Sequence, residues 1–176
     1  MDLDAKIREI GLEVPNLESD YEAAKFKAPS GARYISHYAN DNLLYLSGTV
    51  PKKNGEPYLT GVVGEDLSVE EGYEAARYAA LTSLSVLKYA LGDLDRVQQI
   101  VQMIGYVNSS PGFADQSRVI NGATDLFIEL YGIRGKATRA AIGCRGLALN
   151  SSVEIILTVL FSGETVRQPL ETSFAV

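Results

Sequence analysis

Residues 153–161 read VEIILTVLF, nine residues with a single charge, and this stretch limits the folds open to the chain more than any other. Its β-branched residues favour a strand. Val153, Ile155, Leu157 and Val159 then share one face, and Glu154, Ile156, Thr158 and Leu160 share the other. Both faces are mainly apolar. A strand of this kind belongs inside a sheet and needs cover on both of its faces.

Two helices are legible. Ser68 and Glu71 form a capping box, in which each side chain satisfies a free N–H at the helix start. Tyr73, Ala76, Ala80, Leu84, Leu87 and Leu91 follow at spacings of three and four, and Gly92 suits a left-handed stop. A second helix is expected over 116–131, with Ile120, Ala123, Phe127 and Leu130 inward and Gly132 at its end. Strands are expected over 34–38 and 43–49, paired across a turn at residues 40–42. Further strands are expected at 97–108, with Val101, Met103, Gly105 and Val107 on one face, and at 137–144. The glycines and prolines of 51–66 suggest a long irregular loop.

The order ββ-α-β-α-ββ implies an α+β domain, a mixed sheet with both helices on one face. No helix remains for the other face, which argues that copies of the chain associate through it. Residues 1–30 read as an N-terminal extension beginning with a short amphipathic segment (2–12) peripheral to the domain. Residues 31–162 read as the single domain and 163–176 as a C-terminal arm.

Composition narrows the function. No apolar run is long enough to span a bilayer, and MDLDAKIREI lacks the basic and apolar blocks of a signal peptide, so a cytoplasmic protein is expected. The net charge is −6 and the basic residues are scattered, whereas a duplex binder concentrates Lys and Arg. One cysteine and one histidine cannot build a nitrogen and sulfur zinc site. Cys144 reads as a core residue and His37 as a satisfied strand histidine. Tyr34, Tyr38 and Tyr45 read as core and rim aromatics, and no cofactor is expected.

Two charges stand inside apolar strands, Arg139 and Glu154. If the last two strands form a hairpin symmetric about 146 and 147, position 139 falls opposite 154. The pair then reads either as a cross-strand ion pair or as a site. Arg offers a planar fork for a carboxylate, and a desolvated Glu can hold a water.

Several segments together resemble the Rid family (the YjgF type, formerly grouped as L-PSP endoribonucleases), in particular a longer-chain subgroup. They are Ala137-Thr138-Arg139-Ala140-Ala141 with Glu154 fifteen residues after the arginine, Arg33-Tyr34-Ile35-Ser36 leading to Leu46-Ser47-Gly48-Thr49-Val50-Pro51, and Asn121 in Val119-Ile120-Asn121. The phrases IGYVNSSPGFADQ and INGATDL carry the subgroup likeness, and the whole covers residues 30–162. The resemblance implies a chorismate-mutase-like trimer with sites at subunit interfaces. It also implies hydrolysis of 2-imino or 2-enamino acids to 2-oxo acids and ammonia. By the same resemblance Arg139 clamps the substrate carboxylate, aided by backbone groups of Gly48 and Ala141. Glu154 positions the attacking water, Tyr34 and Asn121 orient the substrate, and Ser47 borders the pocket. The chain departs from many members at Ala141, where they carry a cysteine. A noncatalytic binder of small carboxylates and an endoribonuclease are the alternatives.

Overall fold

The computed structural model describes residues 2–19 and 34–170. A five-stranded sheet runs in the order β1-β2-β7-β5-β6, where β1 is His37–Asn40, β2 Leu43–Leu46, β5 Val97–Asn108, β6 Thr138–Cys144 and β7 Val153–Phe161. Only β5 and β6 run parallel; the other pairs are antiparallel, so the sheet is mixed. Helices α2 (Val69–Leu91) and α3 (Gln116–Tyr131) complete an α+β architecture.

The helix signals act as their chemistry requires. Ser68 Oγ accepts from Glu71 N while the Glu71 carboxylate accepts from Ser68 N, and Gly92 ends α2 at φ 78°. The two helices cross at Gly122, whose missing side chain lets α3 approach the backbone of Tyr73 and Arg77. Tyr73 itself is only partly buried, because its hydroxyl reaches out to donate to Asp125.

One sheet face packs on these helices. Met103, Val107, Val153, Ile155, Leu157 and Val159 are all buried there, with Ile120 over Gly105. Val101, expected among them, is not. The β5–β7 register slips between Ile100 and Gln102, and this bulge hands the core position to Ile100. The other face carries Tyr38, Tyr45 and Ile142, which are 60%, 41% and 41% exposed, with half-buried Leu43, Ile104, Tyr106, Ile156 and Leu160 between them. No described element covers it.

Three further expectations change. The loop at 51–66 contains a small hairpin, β3 (Lys52–Lys53) with β4 (Glu56–Pro57), because Asn54 and Gly55 both take positive φ. The N-terminal segment is not peripheral: in α1 (Leu3–Glu9) Leu3 and Ile7 are buried in the core, and Lys6 donates to the Leu130 carbonyl. Finally, β6 and β7 are not a hairpin, since β5 lies between them. The β5–α3–β6 crossover leaves β6 on the outer side of β5, and residues 145–152 must pass over the end of β5 before β7 can enter on its inner side. Asn108 holds that passage: its N–H donates to the Ser152 carbonyl and its Oδ1 accepts from Gly146 N.

Candidate functional site

The hairpin expected to set Arg139 opposite Glu154 is overturned by this topology. Arg139 pairs with Met103, and Met103 with Leu157, whereas Glu154 pairs with Tyr106. The two residues are thus two strands and three register positions apart. Strand spacing and rise put their Cα atoms about 14 Å apart. Three positions is an odd number, so their side chains also leave opposite faces of the sheet. They cannot pair within one chain.

Each charge has instead gathered its own neighbours. On the helix side Arg139 extends from edge strand β6 to α3, where its Nη1 donates to Asn121 Oδ1 at 2.7 Å and Thr124 Oγ1 at 2.9 Å. The two acceptors are one helical turn apart and therefore share a face. They fix the guanidinium, and among the described residues Nε and Nη2 make no hydrogen bond, which suits them to a bidentate partner. Ala141, two residues along β6, faces the same way and packs on the core beside Gly105. Thr124 is absent from the sequence reading, although its place three residues after Asn121 is the signal for it.

On the other face Glu154 is half-buried and burial raises its carboxyl above the ordinary carboxylate range. Thr49 exchanges two backbone hydrogen bonds with Ile155, both 2.9 Å, which lays Gly48 against Glu154. A side chain on Gly48 would overlap the Glu154 carboxylate, so the close approach depends on glycine there. Ser47 Oγ donates to the Ile35 carbonyl at 2.6 Å and Ser47 N donates to the Ser36 carbonyl. That ties residue 47 to the backbone beside Tyr34, which is 49% exposed.

Cys144 belongs to this second group rather than to the core. It faces away from Ala141, is partly exposed, and its thiol is raised first by burial and then by the Glu154 charge. His37 is buried and satisfied, with Nδ1 2.9 Å from Ser36 Oγ and Nε2 3.0 Å from the Arg167 carbonyl. Tyr34, Tyr38 and Tyr45 are exposed rather than core residues.

The residues expected at the site therefore fall into two half-sets on one chain, Arg139, Asn121 and Ala141 on the helix side, and Glu154 with Gly48 on the other, where Ser47 is tied to the backbone next to Tyr34. A shallow groove of about 260 Å³ between α2 and α3, lined by Val69, Glu70, Tyr73, Arg118, Asn121 and Asp125, joins neither half to the other. Its charges are already matched, Arg118 with Glu70 and Asp115, and Asp125 with the Tyr73 hydroxyl.

Residues 10–162 match the family model described as "YjgF/chorismate_mutase-like, putative endoribonuclease". Protein TCP17 of Trypanosoma cruzi is 40% identical over 129 residues, 73% of this chain and 81% of that protein. A crystal structure of a protein of unknown function from Agrobacterium tumefaciens superposes with a TM-score of 0.79 at 34% identity, covering 91% of this chain and 92% of that one. A second, from Shewanella oneidensis and described as an endoribonuclease in the same terms as the family, gives 0.81 at 27% identity over 92% and 100%.

Proposed function

The chain belongs to the YjgF/chorismate-mutase-like family, and on that premise we propose that it hydrolyses small 2-imino or 2-enamino acids to 2-oxo acids and ammonia. One observation carries the proposal. Arg139 and Glu154 stand fifteen residues apart as in the Rid signature, yet each is equipped separately and on opposite faces of the sheet. A substrate that uses both must lie between two copies of the chain. The apolar face that bears Glu154, open at Tyr38, Tyr45 and Ile142, is the surface through which copies would associate. A closed homotrimer then brings the Arg139 half-set of one subunit to the Glu154 half-set of the next.

In that site the free side of the Arg139 guanidinium holds the substrate carboxylate, and Asn121 with Tyr34 sets the plane of the imine. Glu154 accepts a proton from water as the water oxygen attacks the C=N carbon, and returns that proton to the nitrogen. The resulting carbinolamine collapses: Glu154 takes the hydroxyl proton and passes it to the nitrogen, the C–N bond breaks, ammonia leaves, and the 2-oxo acid remains. A carboxyl raised by burial suits this work, since its proton affinity lies closer to that of the groups it exchanges with. No step needs a thiol, so Ala141 does not block the reaction.

The test generates imines in place with an amino-acid oxidase and lets semicarbazide compete for them. Wild type should suppress semicarbazone formation, while Arg139→Ala and Glu154→Gln should not. Equal semicarbazone yield with wild type and with buffer would refute the proposal. Carboxylate binding that survives in Glu154→Gln, with no turnover in wild type, would favour a noncatalytic binder. The family's endoribonuclease description supplies the other reading, against which stand the net charge of −6 and the scattered basic residues. Cleavage of single-stranded RNA by wild type but not by Arg139→Ala would decide for it.

A further inference from the structure

Two buried hydroxyls lie between α2 and the strand that carries Glu154. Ser83 is fully buried on α2, in the company of Ala76, Ala79, Ala80 and Leu84. Thr49, which bridges to Ile155 of β7, is also buried. A hydroxyl in such a place is costly unless it is bonded. Both are bonded: Thr49 Oγ1 and Ser83 Oγ are 2.6 Å apart, the Ala79 and Ile155 carbonyls each lie 3.3 Å from Thr49 Oγ1, and the Ala79 carbonyl lies 3.2 Å from Ser83 Oγ. Whichever hydroxyl donates to the other, a carbonyl accepts the remaining proton.

That both hydroxyls are satisfied does not account for their presence. A valine and an alanine would fill much the same space and leave nothing to satisfy. What the hydroxyl pair permits is a short separation. Two oxygens sharing a proton sit at 2.6 Å here. A methyl carbon keeps about 3.3–3.6 Å from an oxygen, so the pair seats residue 49 about 0.7–1.0 Å deeper against α2 than an apolar side chain would. The backbone bonds between Thr49 and Ile155 hold that depth relative to β7. Gly48, next in the chain, is the residue laid against the Glu154 carboxylate with no room for a side chain.

We propose that Thr49 and Ser83 are positioning residues for Glu154: their short hydrogen bond sets the depth at which Gly48 meets the carboxylate. The proposal rests on Glu154 being the base of the reaction proposed above. Arg139, which holds the substrate carboxylate, belongs to the other half-set and touches neither hydroxyl. Chemistry and substrate binding should therefore separate.

Thr49→Val keeps the shape of the side chain and loses the hydroxyl. Its new methyl must back away from Ser83 Oγ, Gly48 moves outward with it, and Glu154 gives way. The kcat for imine hydrolysis should fall about 10–100-fold, while KM stays within about twofold. Thr49→Ser keeps the hydroxyl and should restore kcat. A merely structural role would lower the melting temperature of both variants and leave Glu154 where it is. The carboxyl-carbon resonance of Glu154, assigned with Glu154→Gln in carbon-13-labelled protein, separates the two: it should move in Thr49→Val and stay in Thr49→Ser. Should Thr49→Val not fold, Ser83→Cys, whose larger sulfur presses on Thr49 from the helix side, must give the same fall in kcat and a moved resonance. An unmoved resonance, or a wild-type kcat in the variant, would overturn the proposal. A wild-type protein that turns over no imine refutes the enzymatic reading alone, because the resonance still reports whether the pair positions Glu154.

Discussion

Gly48→Ala should leave the fold nearly intact and disable the site. A Cβ built on Gly48 overlaps Glu154 Oε1 and lies 2.9 Å from Cδ and 3.2 Å from Cγ. Carbons in ordinary contact sit about 3.5–4.0 Å apart. The Glu154 carboxyl carbon must therefore retreat by about 0.6–1.1 Å, and its oxygens by more. Everything displaced belongs to the end of one flexible side chain, and the φ of Gly48 suits alanine. An off-rotamer Glu154 costs of order 1 kcal/mol, partly offset by the lower entropy of an unfolded chain with one glycine fewer. In a protein of this size that is a melting shift within about 2–4 °C. A displacement of 1 Å in a catalytic group, however, can cost about 100-fold in rate. Gly122→Ala is the contrasting case. There the added carbon overlaps the Tyr73 carbonyl and comes within 2.8 Å of its carbon and 3.1 Å of Arg77 N, so the obstacle is backbone and the helices must part. Overpacking of that kind costs about 1–3 kcal/mol or more, with a visible fall in melting temperature. Melting curves and the imine assay on both variants decide the matter. Full activity in Gly48→Ala would refute the role given to Glu154, and unfolding of that variant would refute the account of the contact.

Glu154→Gln should stabilise the protein at neutral pH while abolishing turnover. Burial raises Glu154 above its ordinary 4.5, so the native state holds that proton more tightly than the unfolded chain, and the group's contribution to stability is lost as pH rises from 4.5 through the raised value. Denaturant melts at pH 5 and 8 should show wild type and variant diverging at the higher pH. His37 works in the opposite sense: burial lowers it, so its contribution is complete above its ordinary 6.5 and is lost as pH falls through the lowered native value. The Arg167 carbonyl can only accept, so Nε2 carries the proton and Nδ1 accepts from Ser36. Protonation turns that acceptor into a donor beside a Ser36 oxygen already bonded to Leu170 N. Residues 167–170 are held by Ser36, His37 and the Ala90 carbonyl, so mild acid should release them to protease in wild type, and less so in His37→Gln. Cys144 should alkylate slowly at pH 8 and faster in Glu154→Gln, since the Glu154 charge helps to raise the thiol; equal rates would separate the two groups.

The helices were legible because their signals are local. The Ser68–Glu71 box, Gly92 and the apolar spacing of 116–131 each act within a turn or two, and nothing distant could alter them. The last strand was legible for the same reason, its composition fitting only an inner place in a sheet. What failed was pairing. Arg139 and Glu154 flank one loop, which suggests neighbouring strands, but a hairpin turn takes two to five residues and 145–152 is eight long. That length was the available sign that the chain passes over another strand. Ile100 shows the same limit on a smaller scale, since a bulge that depends on its partner strand moved the core position from 101 to 100. Cys144 reads as core from sequence because alternation tells which residues share a face but not which face a neighbouring layer will cover. Only the order β7-β5-β6 places Glu154 and Cys144 together on the open side and Arg139 with Asn121 and Thr124 on the closed one. The division of the site follows from that order. A parallel crossover through α3 carries the arginine to the outer edge, the return to β7 carries the glutamate inward, and no side chain spans the two strand spacings between them. If both groups act on one substrate, a second copy of the chain must supply the missing half.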